Sequence, residues 1–245
     1  MKRKSLSHIQ IIALGYFLIT LAGTFLLMQP FATQSGVSAP FGTAIFTSVS
    51  ASCVTGLILE NTVTYWSLFG QIVILALIQL GGLGYMTIAT VFYRLIIRKH
   101  GLREKVIMAE SINTTRMNNF SSLIKKIFLG SIIIEFTGAV LLSIRFISIF
   151  GWAKGIYYGV FHSISAFCNA GFDLMGAYYG EYCSFVEFSN DWVVMPTLCA
   201  LIIIGGIGFL VWDDISKKKL KFRRYQLHTK IGQNMLRPRF RPETE

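Results

Sequence analysis

The chain has 245 residues and a formal net charge of +11, and it is 53% hydrophobic against 14% charged, with a mean hydropathy of +0.56. Soluble domains average roughly 25% charged residues, so the composition excludes an ordinary soluble domain and points to an all-α integral membrane protein. The positive charge is clustered between apolar runs, which makes it a topology signal before a lipid-binding one, and puts nucleic-acid binding a poor third.

In chain order, "MKRK" leads into the apolar run Ile9–Met28. A basic start resembles a signal peptide, but this run is longer than a usual signal core and no A-x-A site follows it. Three further runs are Leu68–Ile97, Ile127–Ile144 and Trp192–Trp212. Each run is near or above the roughly 18–20 residues a spanning helix needs, and Leu68–Ile97, which carries Arg94 at its end, extends past the membrane. Lys and Arg concentrate at residues 2–4, 94–126 and 217–241, with only Arg145 and Lys154 elsewhere. The positive-inside rule then makes these three segments cytoplasmic, with four crossings and both termini inside.

The connections 29–67 and 146–191 face outward. They hold Glu60, Asp173, Glu181, Glu187 and Asp191 against Lys154. This acidity would concentrate cations, and solubility explains it equally well. Within these connections, Pro40–Ser52 and Ile156–Phe167 read as helices of about three turns, too short to span. Pro40 stands where a helix start tolerates proline. The two carry similar text: "FTSVSASCVTGL" from Phe46 and "FHSISAFCNAGF" from Phe161, 115 residues apart, agree at Phe46/Phe161, Ser48/Ser163, Ser50/Ser165, Ala51/Ala166, Cys53/Cys168 and Gly56/Gly171. The likeness continues in "IQLGGLGYM" from Ile78 and "IIIGGIGFL" from Ile202, with nine extra residues in the second outer connection. Each unit, a spanning helix, a short re-entrant helix, an irregular segment and a second spanning helix, crosses twice, so the units are parallel repeats.

Irregular backbone at membrane depth is tolerated only where protein buries it or where it lines a wet cavity. A helix C-terminus carries partial negative charge, and the backbone beyond it can offer carbonyls that replace an ion's hydration shell. Cys53, Val54, Thr55 and Gly56, and Cys168, Asn169, Ala170 and Gly171, are therefore candidates to line an ion path. A plain helix C-cap is the competing role for either glycine. Gly81, Gly82, Gly84, Gly205, Gly206 and Gly208 are read as helix-packing positions, not as a phosphate-binding loop. Glu135, inside the third run, is a functional candidate by default, and a structural hydrogen bond to a neighbouring helix explains it as well. Asp213 and Asp214, at the end of the fourth run, are read as interfacial. The four cysteines show neither a C-x-x-C pair nor metal-ligand spacing, and no structural disulfide is indicated. No nucleophile–base pair or cofactor fingerprint suggests an enzyme.

"SASCVTGL", "LIQLGGLGYMT", "FHSISAFCNAGFDL" and "GGIGF" together resemble the potassium-translocating subunit of bacterial Trk and Ktr uptake systems, the Ktr type more closely, over about residues 5–231. The resemblance implies four helix–pore-helix–helix repeats around a single pore, each giving one filter glycine, here Gly56 and Gly171. It also implies potassium as cargo, often with sodium coupled and no covalently bound cofactor. It implies a cell-membrane location, a homodimer, and a cytosolic nucleotide-binding ring docking on basic segments such as 94–126 and 217–230. This chain holds two such repeats, half of the four-repeat pore: residues 1–126 and 127–222, followed by a tail, 223–245. "RRYQLHTKI" (Arg223–Ile231) resembles the approach to a third repeat, but "GQNMLRPRFRPETE" is polar and broken by proline. Truncation near residue 231, for instance by a frameshift, is expected. The alternative to a conducting subunit is then a non-conducting fragment or an assembly partner of a full-length subunit.

Overall fold

A computed structural model of the chain describes residues 8–84 and 120–207. The described residues are helical; apart from one antiparallel bridge between Thr33 and Trp66, they form no β-structure. The first apolar run folds as α1 (His8–Leu27). Its threonines suit an apolar helix because their hydroxyls return to carbonyls one turn back: Thr20 Oγ1 donates to Tyr16 O at 2.9 Å, and Thr24 Oγ1 to Thr20 O at 2.8 Å. After a 3₁₀ turn at Pro30–Ala32, the short helix α2 spans Phe41–Ser52 with Pro40 at its N-cap. The single turn α3 (Thr62–Tyr65) is capped by Asn61 Oδ1, which accepts from the Val63 and Thr64 amides. Ser67 caps α4 (Leu68–Gly82) through the Gly70 amide.

The second half begins with α5 (Phe120–Phe150), which turns directly into α6 (Trp152–Phe167). Both are longer than their apolar text suggests: α5 extends past Ile144, and α6 starts at Trp152 instead of Ile156. The reason is Gly151, whose φ of 81° reverses the chain in one residue and leaves no loop between the two helices. The turn α7 (Gly176–Tyr179) and a 3₁₀ turn at Val186–Phe188 lead to α8 (Val194–Gly206). Among the described residues one helical segment, Ile127–Phe150, is long and apolar enough to cross a membrane on its own; Ala13–Leu27, Leu68–Gly82 and Val194–Gly206 are shorter apolar helices. The remainders of the predicted runs Leu68–Ile97 and Trp192–Trp212, the basic segments apart from residues 120–126, and the tail lie outside the described residues. Large apolar side chains, including Phe17 and Phe25 of α1 and Ile133, Phe136 and Ile144 of α5, face outward.

The two halves use the same tertiary contacts. Ser48 Oγ of α2 donates to Thr20 O at 2.8 Å, and Ser163 Oγ of α6 donates to Glu135 O at 2.6 Å. A Cβ on Gly23 would lie 2.6 Å from Ser48 Oγ and 2.7 Å from a Leu77 methyl, and one on Gly138 would lie 2.6 Å from Ser163 Oγ and 2.7 Å from a Leu201 methyl. The halves are joined by Tyr157, whose hydroxyl donates to Gln71 Oε1 at 2.9 Å, and by Tyr182, whose hydroxyl donates to Leu59 O at 3.1 Å. Gly176 also sits directly against the Asn61 amide. Because the crossings at Gly23 and Gly138 are alike, Gly23→Leu and Gly138→Leu should each destabilise the protein by a similar amount, about 1–3 kcal/mol from overpacking, read as matched drops in thermal unfolding temperature in detergent.

Candidate ion-filter loops

A helix that stops inside an apolar layer must dispose of its last carbonyls and of the amides that follow. α2 and α6 do this with one device. Val54 N bonds Ala51 O and Thr55 N bonds Ser50 O, at 3.3 and 3.0 Å; Asn169 N bonds Ala166 O and Ala170 N bonds Ser165 O, at 3.0 and 2.8 Å. This pair of bonds is a Schellman motif, which requires a left-handed residue at its turn. That residue is Val54 (φ 57°) in one loop and Asn169 (φ 58°) in the other. The glycines therefore do not cap the helices. Gly56 and Gly171 lie two residues further on, both at φ 76°. Each loop thus carries two left-handed residues separated by one, and the paths match across 115 residues.

The loops meet at these glycines. A Cβ on Gly56 would come within 2.7 Å of Ala170 O and 3.3 Å of Gly171 Cα, and one on Gly171 within 3.3 Å of Gly56 Cα. Other glycines bring the flanking helices in. Gly81 of α4 lies directly against Ser52 O, and Gly205 of α8 against Phe167 O, the last residues of α2 and α6. Gly82 abuts the Cys168 side chain, and a Cβ on Gly206 would lie 3.8 Å from Asn169 Nδ2. Gly84 is beyond the end of α4 at φ 74°, with its amide on Gly81 O, so it closes the helix instead of packing within it. Gly208 lies outside the described residues. Cys168 and Ala170 are buried, whereas Cys53, Thr55, Asn169 and Gly171 are exposed. The four cysteines are all free.

Side chains hold the two loops differently. In the first, Thr55 Oγ1 donates to Ser50 Oγ at 2.9 Å. In the second, Ser165 Oγ donates to Phe172 O at 2.7 Å, and the Leu174 amide donates to His162 Nε2 at 3.0 Å. His162 Nδ1 faces Tyr158 O at 2.7 Å. An amide donor at Nε2 and a carbonyl at Nδ1 place the ring proton on Nδ1. His162 is fully buried, with Phe146, Phe161 and Phe185 edge-on around it. Sequence reasoning passed over this residue; the signal was its departure from Thr47 at the matching place in an otherwise similar dodecamer. Glu135 finds a partner that sequence could not name: Gln79 Nε2 donates to both of its carboxyl oxygens, at 2.9 and 3.0 Å. Among the described residues no group of three or more His, Cys, Asp or Glu side chains is placed to hold a metal ion.

The outer carboxylates are not equivalent. Asp191 pairs with Arg145 at 2.6 Å and accepts from the Val193 and Val194 amides at the start of α8. Burial pushes its pKa up, but the amides and the guanidinium outweigh this and hold it below the usual carboxylate range. Arg145 therefore belongs with the outer charges, and Asp191 is neutralised in place. Asp173, just past Gly171, is pushed above the usual range by burial, partly offset by the Met175 amide.

Two outcomes follow from this geometry. A β-branched residue at φ 57° is strained by roughly 1–2 kcal/mol, so Val54→Asn, which copies Asn169, should raise stability by about 1 kcal/mol in thermal unfolding. Asp173 favours its neutral form when folded, so its contribution is intact in acid and is lost as pH rises through its raised pKa. Asp173→Asn should accordingly be more stable than the parent at neutral pH, with the difference closing as pH falls to about 4.

Comparison with known proteins places these loops in context. The TrkH family, described as cation transport proteins, matches residues 4–236. The potassium/sodium uptake protein NtpJ of Enterococcus hirae is 41% identical over 230 residues, covering 94% of this chain and 49% of that protein. The Ktr system potassium uptake protein B of Bacillus subtilis is 40% identical, covering 91% of this chain and 48% of the relative, and Ktr system potassium uptake protein D of the same organism is 33% identical, covering 93% and 50%. This chain spans about half the length of these relatives. The matched loops, the all-helical architecture and these likenesses together show that the chain belongs to the TrkH family of membrane cation transport proteins, on its Ktr side.

Proposed function

We propose that this chain contributes the ion path of a potassium uptake system, with sodium as a coupling ion. The observation that carries this is the shared backbone of the two loops, with left-handed residues at Val54 and Gly56 and again at Asn169 and Gly171. Each loop follows the negative end of a short helix set among apolar helices, an arrangement that favours a cation. Carbonyls of Cys53, Val54, Thr55 and Gly56, and of Cys168, Asn169, Ala170 and Gly171, would replace hydration water around a potassium ion. The names of the relatives, which speak of potassium, of sodium and of Ktr systems, support the choice of ion. In this reading the chain lies in the cell membrane with its basic segments and both termini in the cytoplasm. It works as a homodimer, and a cytosolic nucleotide-binding ring docks on segments 94–126 and 217–230.

The contact between Gly56 and Gly171 sets the two loops side by side. Two adjacent loops line one flank of a path, and a closed ring of carbonyls needs further segments of the same kind, from more polypeptide or from a second copy. This favours a second reading, in which the chain acts as an assembly partner and does not conduct alone. Rubidium uptake into liposomes holding the purified chain tests both. Gly56→Ala should cut uptake by about tenfold or more, since a Cβ at left-handed φ costs roughly 1–2 kcal/mol. Gly171→Ala should cut it less, because only Gly56 also confronts a carbonyl oxygen. No uptake from folded, inserted chain would favour the assembly-partner reading instead.

A further inference from the structure

We propose that Glu135 is a positioning residue that sets the second loop through Gln79; its consequence for ion selection rests on the transport reading above. Glu135 is 7% exposed in the middle of α5, and both its carboxyl oxygens accept from Gln79 Nε2. The other end of the same amide, Gln79 Oε1, faces Cys168 Sγ at 3.7 Å. Cys168 is the C-cap of α6 and the first residue of the second loop. A single amide therefore ties α5 to the point where the loop leaves its helix.

Gln79 lies in the last turns of α4, and that end of the helix touches both loops. Gly81 lies against Ser52 O at the end of α2, and Gly82 against Cys168. Any roll of α4 about its axis would move both contacts. The Glu135–Gln79 pair resists such a roll, because separating the groups would leave an unpartnered amide and carboxyl in an apolar layer, a costly state for each. Among the described residues the brace exists only once. Thr20 stands at the place matching Glu135, and there the backbone carbonyl receives Ser48 just as Glu135 O receives Ser163, while the Thr20 hydroxyl turns back on Tyr16 O. Ile203 occupies the place matching Gln79. The carboxyl–amide link is thus an addition to the duplicated frame, aimed at the second loop.

The test reads Cys168 directly. Purified protein in lipid nanodiscs is treated with a maleimide, and peptide mass spectrometry follows alkylation of Cys168 separately from Cys53, Cys183 and Cys199. Glu135→Ala and Gln79→Glu should speed alkylation of Cys168 by about tenfold, the order expected when one buried hydrogen bond to a carboxyl is lost. Glu135→Gln, which keeps an acceptor oxygen, should change it little. The double variant Gln79→Glu, Glu135→Gln re-creates the pair with its partners exchanged and should restore protection. In liposomes, discrimination of rubidium over sodium should fall in Gln79→Glu and return in the double variant. Unchanged alkylation in all variants, or no rescue by the exchange, overturns the proposal, as does exposed Cys168 with unaltered discrimination in a parent that transports. A parent that takes up no rubidium would overturn the transport reading alone, and the alkylation pattern would still decide whether the brace exists.

Discussion

Everything distinctive in this fold depends on how α2 and α6 end. Within an apolar layer a helix end cannot hand its free carbonyls and amides to water, so each end closes on itself, Thr55 N to Ser50 O and Ala170 N to Ser165 O. That closure forces a left-handed residue just past each C-cap, Val54 after Cys53 and Asn169 after Cys168, and turns the chain sharply there. Two residues on, the second left-handed position admits only glycine comfortably, and the absence of side chains there lets the two loops touch. The flanking helices must then come close to helix ends that still present carbonyls. Gly81 and Gly205 meet Ser52 O and Phe167 O for that reason. A side chain at any of these points would push apart elements that the closure has brought together.

The duplicated frame carries unequal fittings. The first loop is held mainly by its own hydroxyls, Thr55 on Ser50. The second is held by Ser165, by a neutral His162 reaching the Leu174 amide, and from outside by Gln79 at Cys168. Cys168 is buried under α4, whereas Cys53 is exposed. A loop fixed by its neighbours is more rigid than one fixed by itself, since each added bond must break before the backbone moves. The two loops thus have similar backbone with different compliance.

Much of this was legible in the sequence because a duplication prints its alignment twice. Phe46–Gly56 against Phe161–Gly171 located both short helices and both loops. Contacts that hinge on one residue's backbone angle were not legible. Gly151 erased a loop that composition suggested, and Val54 took a left-handed cap that propensity assigns to glycine or asparagine. Nor does an amino-acid string show which helix faces Glu135. Gln79 is an unremarkable polar residue in an apolar run until α4 is laid between the two short helices. Nor did the sequence pair Arg145, which lies outside the basic clusters, with Asp191.

The arrangement of α4 carries an implication for α8. Each follows its own loop, and Gly205 repeats on Phe167 O the contact that Gly81 makes with Ser52 O. Gly82, one residue later, reaches across to the next loop at Cys168; Gly206 holds the matching place, with Asn169 Nδ2 at 3.8 Å from its would-be Cβ and no backbone beyond it among the described neighbours. Beside it a cleft of about 260 Å³ opens between α6 and α8, lined by His162, Asn169, Phe172, Phe185, Leu198 and Ile202. Gly206 thus holds on α8 the place that Gly82 holds on α4, but without the loop contact that Gly82 makes. The cleft mixes these aromatic and aliphatic side chains with polar ones, Ser165, Asp173 and Ser184 beside His162 and Asn169. Among the described residues the contact of one glycine-bearing loop with another is made once, between Gly56 and Gly171.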